Sequence, residues 1–111
     1  MTVFDDGPLR VDLVRQEVTI DGKPIHLTPN EYGVLAMLVE HRGEGLSYEQ
    51  LFQAVVGRDP SGRTSNDDLV KVLVLRLRYK LWPGAMRGEP LIEQPIETVR
   101  DFGYSYRLGT A

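Results

Sequence analysis

Between Asn66 and Trp82, four basic side chains (Lys71, Arg76, Arg78 and Lys80) are interleaved with apolar ones, Val72, Leu75 and Tyr79 among them. Cations at this density can neutralise phosphates or donate to guanine edges, and aliphatic groups beside them can pack on thymine methyls. The same mixture also suits a protein partner, because contiguous exposed aliphatics are unusual on a monomer. The third option is plain packing, with Tyr79 and Trp82 tucked under a later segment and a small apolar patch left over. A helical wheel at about 100° per residue sorts the side chains. Val70, Val74, Leu77 and Leu81 share one narrow arc, with Leu73 at its edge, and form the expected core stripe. Leu69, Val72, Leu75, Arg76, Tyr79 and Lys80 lie roughly opposite, as a mixed apolar and basic face. Asp67 and Asp68 place favourable charge at the helix N-terminus.

Other chemistries find little support. The chain has no cysteine, which removes disulfides and thiolate metal sites. His26 and His41 form no ligand motif, and His26 reads as a surface strand residue, so neither a metal nor a cofactor is expected. No Ser/His/Asp arrangement or close carboxylate pair emerges, and no enzyme is expected. The segment "GRDPSGRT" (57–64) resembles a phosphate-binding loop, but Arg63 stands where the lysine is essential, and a helix rather than a strand precedes it. The net charge of −3 runs against phosphate binding, yet four basic residues face two acidic ones between Asn66 and Trp82. The N-terminus "MTVFDDGPLR" has no basic segment followed by an apolar stretch, and no run reaches bilayer-spanning length. A soluble, cytoplasmic protein without membrane contact is expected.

These side chains need elements to hold them. With 111 residues, 41% of them hydrophobic, the chain suits one domain over residues 1–111 with a core of its own, residues 1–8 being a flexible lead-in. "LRVDLV" (9–14), "EVTID" (17–21) and "KPIHL" (23–27) predict a small antiparallel sheet, with Asp21-Gly22 a hairpin turn. Thr28 and Glu31 form a capping box ahead of Tyr32, Leu35, Leu38 and Val39, and Pro29 suits the first helical position. Gly43 ends that helix. Ser47 and Gln50 repeat the box ahead of Leu51, Phe52, Val55 and Val56, and Gly57 ends the second helix. The third runs from Asn66 to "WPG". "IETVR" and "YSYRL", on either side of "DFG", predict a terminal hairpin. The order β-β-β-α-α-α-β-β is α+β, a winged helix-turn-helix with an N-terminal antiparallel sheet, three helices and a C-terminal hairpin wing.

Three pieces in this order, "LTPNEY" (27–32), "LRYKL" (77–81) and "TVRDFGY" (98–104), resemble the OmpR/PhoB-type effector domain of two-component response regulators, over roughly residues 9–108. The resemblance implies a sequence-specific regulator of transcription that binds double-stranded DNA, its third helix in the major groove and its wing in the adjacent minor groove. Carried over residue by residue, Val72, Arg76 and Arg78 match recognition-helix positions, and Thr98 and Arg100 match wing positions. Lys71, Leu75, Tyr79 and Lys80 join the candidate helix surface. The loop holding Arg58 and Arg63 matches a segment often used to touch RNA polymerase, and the two arginines could alternatively touch phosphate. A homodimer is a further expectation. Such domains usually sit behind a phosphorylatable receiver domain, which these residues do not contain. Departures from the family are Asp68, Leu69, Leu73 and Leu75 where polar or basic residues are frequent, Tyr48 and Val56 in the second helix, and Asp101 where glycine is usual. The alternative function is a degenerate winged helix that binds protein, or itself, through the apolar outer face of its third helix.

Overall fold

The computed structural model describes residues 2–55, 65–90 and 93–108. It opens on a four-stranded antiparallel sheet, β1 (Val3–Asp6), β2 (Leu9–Asp12), β3 (Glu17–Ile20) and β4 (Lys23–Pro24), in that spatial order. Leu9 and Val11 on β2 both turn inward, as the two-residue period of a strand requires, and Val18 pairs with Val11 in the core. The Asp21-Gly22 hairpin forms as expected. Both residues take positive φ, 51° and 79°, as a two-residue type I′ turn demands. β4 stops at Pro24, short of the expected Leu27, and His26 is exposed and lies outside the strand.

Within the flexible lead-in expected over residues 1–8, Val3–Asp6 are strand instead. β1 pairs with β2 from Val3↔Asp12 to Asp6↔Leu9. Phe4 is buried, edge-on to Tyr106 with ring centroids 5.5 Å apart, and the Tyr106 hydroxyl donates to Asp6 Oδ2 at 2.7 Å. Burial, and then the neighbouring carboxylate, push the Tyr106 phenol well above its usual range. These contacts join residues about a hundred positions apart, which local pattern cannot reveal.

The capping boxes place the first two helices. Thr28 and Glu31 exchange both bonds at the start of α1 (Pro29–Glu40), and Ser47 and Gln50 do so at the start of α2 (Tyr48–Phe52). α2 is shorter than the expected run to Gly57. Its last turn tightens through Ala54 N–H to Leu51 O (3.0 Å) and Val55 N–H to Phe52 O (2.9 Å). There the Ala54 carbonyl approaches α1 so closely that a Cβ at Gly33 would lie 2.7 Å from it. α3 (Asn66–Leu81) is capped by Ser65 and ends at Trp82; Pro83 then opens a fourth, one-turn helix, α4 (Pro83–Met86), in place of a plain stop.

The second sheet has the order β5 (Leu46–Ser47), β7 (Gly103–Tyr106), β6 (Ile96–Val99). The expected hairpin is β6–β7. β5 adds a third strand just ahead of α2, pairing Leu46↔Tyr104 and Ser47↔Gly103. The wing is thus fastened directly to the segment that starts the helix-turn-helix. Val34, Leu35, Leu38, Leu51, Val70, Val74, Leu77, Ile96 and Tyr106 meet in one core among these elements.

Candidate nucleic-acid interface

α3 divides as the wheel requires except at Leu69, which the wheel places outward and which is half-buried. Val70, Leu73, Val74, Leu77 and Leu81 are buried. Lys71, Val72, Leu75, Arg76, Tyr79 and Lys80 are exposed, with Val72, Leu75 and Tyr79 at 39%, 47% and 53%. Two of the leucines that stand where polar residues are frequent in the family are therefore not on the outer face: Leu73 is core, and Leu69 is half-buried against it. Tyr79 is not tucked under the hairpin, whereas Trp82 is buried. The outer ridge is a real mixed surface, with apolar side chains one helical turn apart.

The four cations of α3 occupy different situations. Arg78 points at the wing. Its Nη2 donates to Ile96 O at 2.7 Å and to Thr98 Oγ1 at 3.2 Å, and its Nε donates to Gln94 Oε1 at 3.3 Å. Its guanidinium also lies 5.5 Å from the centroid of the Tyr104 ring. Burial lowers its pKa, but a guanidinium stays charged at any working pH. Lys80 turns back to α1, with Nζ 2.5 Å from Glu31 Oε1 and 3.3 Å from His26 O. Glu31 is 1% exposed; burial pushes its carboxyl up, but bonds from Lys80 and Thr28 outweigh this and hold it below the usual carboxylate range. Lys71 lies over the Tyr48 ring at 5.4 Å. Arg76 has no hydrogen bond or ion pair with the described residues.

Lys71 and Arg78, two turns apart on α3, bracket an edge-on pair of rings. Tyr48 on α2 and Tyr104 on β7 stand 5.8 Å apart at 85°. The pattern runs Lys71, Tyr48, Tyr104, Arg78, and it joins α2, α3 and the wing through two cation–π contacts on either side of one edge-to-face ring contact.

At the wing, Arg100 is exposed in the β6–β7 turn and has no hydrogen bond or ion pair with the described residues. Thr98 is exposed too, but its hydroxyl accepts from Arg78. Asp101 takes a positive φ of 58°, the conformation for which glycine is best suited. Gly103 serves the strand pairing and not the turn. A Cβ there would lie 1.9 Å from Leu46 O, so it is the β5–β7 approach that demands glycine. Arg58 and Arg63 lie outside the described residues.

The geometry therefore brings together an outward helix ridge with Arg76 free beside Val72 and Leu75, and a hairpin carrying a free Arg100, braced by Arg78. A family model described as "Transcriptional regulatory protein, C terminal" matches residues 22–106. The chain belongs to this family. Response regulator ArlR of Staphylococcus saprophyticus subsp. saprophyticus is 40% identical to this regulatory domain over 105 residues, which cover 95% of the chain and 44% of that protein. Two-component response regulator PhoP of Pseudomonas aeruginosa is 32% identical over 105 residues, covering 95% and 43%. The chain thus spans less than half the length of these curated relatives. Among solved structures, the DNA-binding domain of CpxR from E. coli aligns with a TM-score of 0.75 and 25% identity, covering 99% of this chain and all of that one. The Klebsiella pneumoniae RstA DNA-binding domain, solved in complex with the RstA box, aligns with a TM-score of 0.73 and 27% identity, covering 96% and 98%. The OmpR/PhoB resemblance and the winged-helix fold both hold.

Three residues of this transcriptional regulatory domain shape the site without having been picked out as site residues: Glu31, Tyr48 and Gln94. Glu31 was legible as the capping residue of α1, but not as the buried partner of Lys80. Tyr48 stood out only as a departure from the family's second helix. Gln94, which accepts from Arg78 and from Ile96 N–H (2.9 Å), gave no signal at all.

Proposed function

We propose that this domain binds duplex DNA sequence-specifically as the effector part of a response regulator. α3 lies in the major groove, presenting Lys71, Val72, Leu75, Arg76 and Tyr79, and the wing carries Arg100 to the adjacent minor groove. One observation carries the reading: Arg76 and Arg100 are exposed and free of partners among the described residues, on two elements that Arg78 locks together. Arg78, Thr98 and Lys80 then act mainly as braces, and their contact with phosphate is secondary. No described helix is long and apolar enough to cross a membrane, which accords with action on DNA in the cytoplasm.

Arg58 and Arg63 touch RNA polymerase or phosphate, and two copies of the domain occupy neighbouring half-sites. Control by a phosphorylated receiver domain is proposed for the whole protein on the strength of relatives about twice as long. A second reading rests on the exposure of Val72, Leu75 and Tyr79, which also suits an apolar protein partner. Selection from a random duplex library tests both. Recovery of a common sequence supports the DNA reading, and no enrichment favours the protein partner.

A further inference from the structure

We infer that Tyr48 is a positioning residue, whose ring holds the Lys71 ammonium ready for a backbone phosphate on one wall of the groove that α3 enters. This rests on the DNA-binding reading above and names a contact that orients the site on the duplex. The major groove is about 12 Å wide, and an α-helix with its side chains is about 10–12 Å across. A helix that fills the groove therefore turns its ridge to the bases and its flanks to the phosphates. Lys71 and Arg78 are seven residues apart, so they lie within about 20° of each other around the helix. Both point along the flank that faces α2 and the wing. Arg78 is taken up there by Ile96, Thr98 and Gln94. Lys71 is exposed and makes no hydrogen bond or ion pair with the described residues. Of the two, it is the one whose N–H groups remain for an anion.

A lysine has a long flexible stem, and the ring beneath this one fixes where its charge sits. Asp67 stands four residues before Lys71, the spacing at which helical ion pairs form. Lys71 does not pair with it and lies over Tyr48 instead, 5.4 Å from the ring centroid. Tyr48 is itself held in place. Its backbone N–H donates to Phe102 O at 3.0 Å, and its ring is edge-on to Tyr104 with centroids 5.8 Å apart. Tyr104 in turn lies 5.5 Å from the Arg78 guanidinium. The Lys71 charge is thus placed by α2, β7 and the wing turn together. A ring face attracts an ammonium electrostatically and leaves its N–H donors for a phosphate. Ordering the side chain in advance removes part of the rotamer entropy that binding would otherwise have to overcome.

The parent, Lys71→Met, Tyr48→Leu and the double variant form a cycle. Each is titrated by fluorescence anisotropy, at several salt concentrations, with the duplex recovered by selection and with a scrambled duplex. Lys71→Met keeps the stem and removes the charge. It should weaken binding to both duplexes equally and make the salt slope shallower by about 0.9, as loss of one phosphate contact does. In the Tyr48→Leu background the same substitution should weaken binding about two- to fivefold less, the coupling expected of one exposed cation–π contact. Tyr48→Phe keeps the ring and should bind as the parent does, with Lys71→Met regaining its full effect in that background. A ring that served only to pack α2 would give additive losses, and additivity overturns the positioning role. Affinity lost in Tyr48→Phe would make the hydroxyl itself the contact, and a Lys71→Met loss confined to the selected duplex would make Lys71 a base reader. Either result overturns the inference while leaving the DNA assignment in place. Tyr48 is half-buried, so melting temperatures accompany the titrations. If Tyr48→Leu does not fold, the NMR spectrum of the parent decides. Lys71 ε-methylene protons over a ring face resonate upfield, and unshifted signals overturn the hold. A parent that binds neither duplex in a salt-dependent way fails the DNA reading itself, and this inference with it.

Discussion

Arg78 on the third helix and Ile96 on the first strand of the wing are joined by a 2.7 Å hydrogen bond from the guanidinium to the backbone carbonyl. With Thr98 and Gln94 as further acceptors and Tyr104 beneath it, one side chain sets the position of the hairpin against the helix. Two elements held at fixed separation bind a common partner with less ordering cost than two that must find their places.

Arg78→Ala should therefore lower stability by about 1–3 kcal/mol, because the carbonyl of buried Ile96 loses its side-chain donor. It should also weaken duplex binding beyond what one lost charge explains. Arg78→Lys keeps the charge but not the fork of donors, and should recover the salt dependence without recovering full affinity or stability. Denaturant unfolding and anisotropy titrations on both variants check this; equal behaviour of the two would remove the bracing role.

Lys80 and Glu31 give a pH signature. The folded-state pKa of Glu31 lies below its ordinary value of 4.5, so the stability it contributes is present above that pH and is lost as pH falls through the folded pKa. Lys80→Met removes the cation and leaves burial to raise the Glu31 pKa. The stability gap between parent and variant should then be largest at neutral pH, about 1–3 kcal/mol, and shrink in acid. Urea midpoints measured from pH 3 to pH 7 provide the test, and a gap that does not vary with pH would contradict it.

Gly103 and Gly45 separate close approach from ordinary contact. A Cβ at Gly103 would meet Leu46 O at 1.9 Å, whereas at Gly45 the nearest atom would be Phe102 Cε2 at 3.5 Å. Gly103→Ala should cost about 3 kcal/mol and disrupt the β5–β7 pairing. Gly45→Ala should be tolerated. Thermal unfolding of the pair decides, and similar melting temperatures would show that β5 can shift.

Asp101 sits at φ 58° in the wing turn beside Arg100. Asp101→Gly relieves left-handed strain and should stabilise the domain by about 0.5–1 kcal/mol. It also removes an acid next to the arginine expected in the minor groove, so duplex affinity should rise. Affinity that falls or stays fixed would mean that the wing tip does not approach phosphate.

Much of this was legible in the sequence because the signals are local. Thr28–Glu31 and Ser47–Gln50 announce helix starts through residues three apart, Asp21-Gly22 announces a hairpin, and the Val70, Val74, Leu77, Leu81 stripe fixes which side of α3 faces inward. What escaped depends on partners far along the chain. β1 becomes a strand because Phe4 and Asp6 meet Tyr106, and β5 exists because Leu46 pairs with Tyr104. The division of labour among the α3 cations was hidden for the same reason. Arg76, Arg78 and Lys80 look equivalent in the sequence, and only the positions of Ile96 and Glu31 set two of them aside as braces.

Joint engagement of duplex DNA by the α3 ridge and the wing is measured by fluorescence anisotropy with the selected duplex at several salt concentrations, comparing the parent with Arg76→Ala and Arg100→Ala. The parent should bind with a steep loss of affinity as salt rises. Arg100→Ala should make that slope shallower by about one contact, and Arg76→Ala should cost about 1–3 kcal/mol with relaxed preference at one base pair. A parent protein that shows no salt-sensitive duplex binding, or variants that bind as the parent does, would contradict the account.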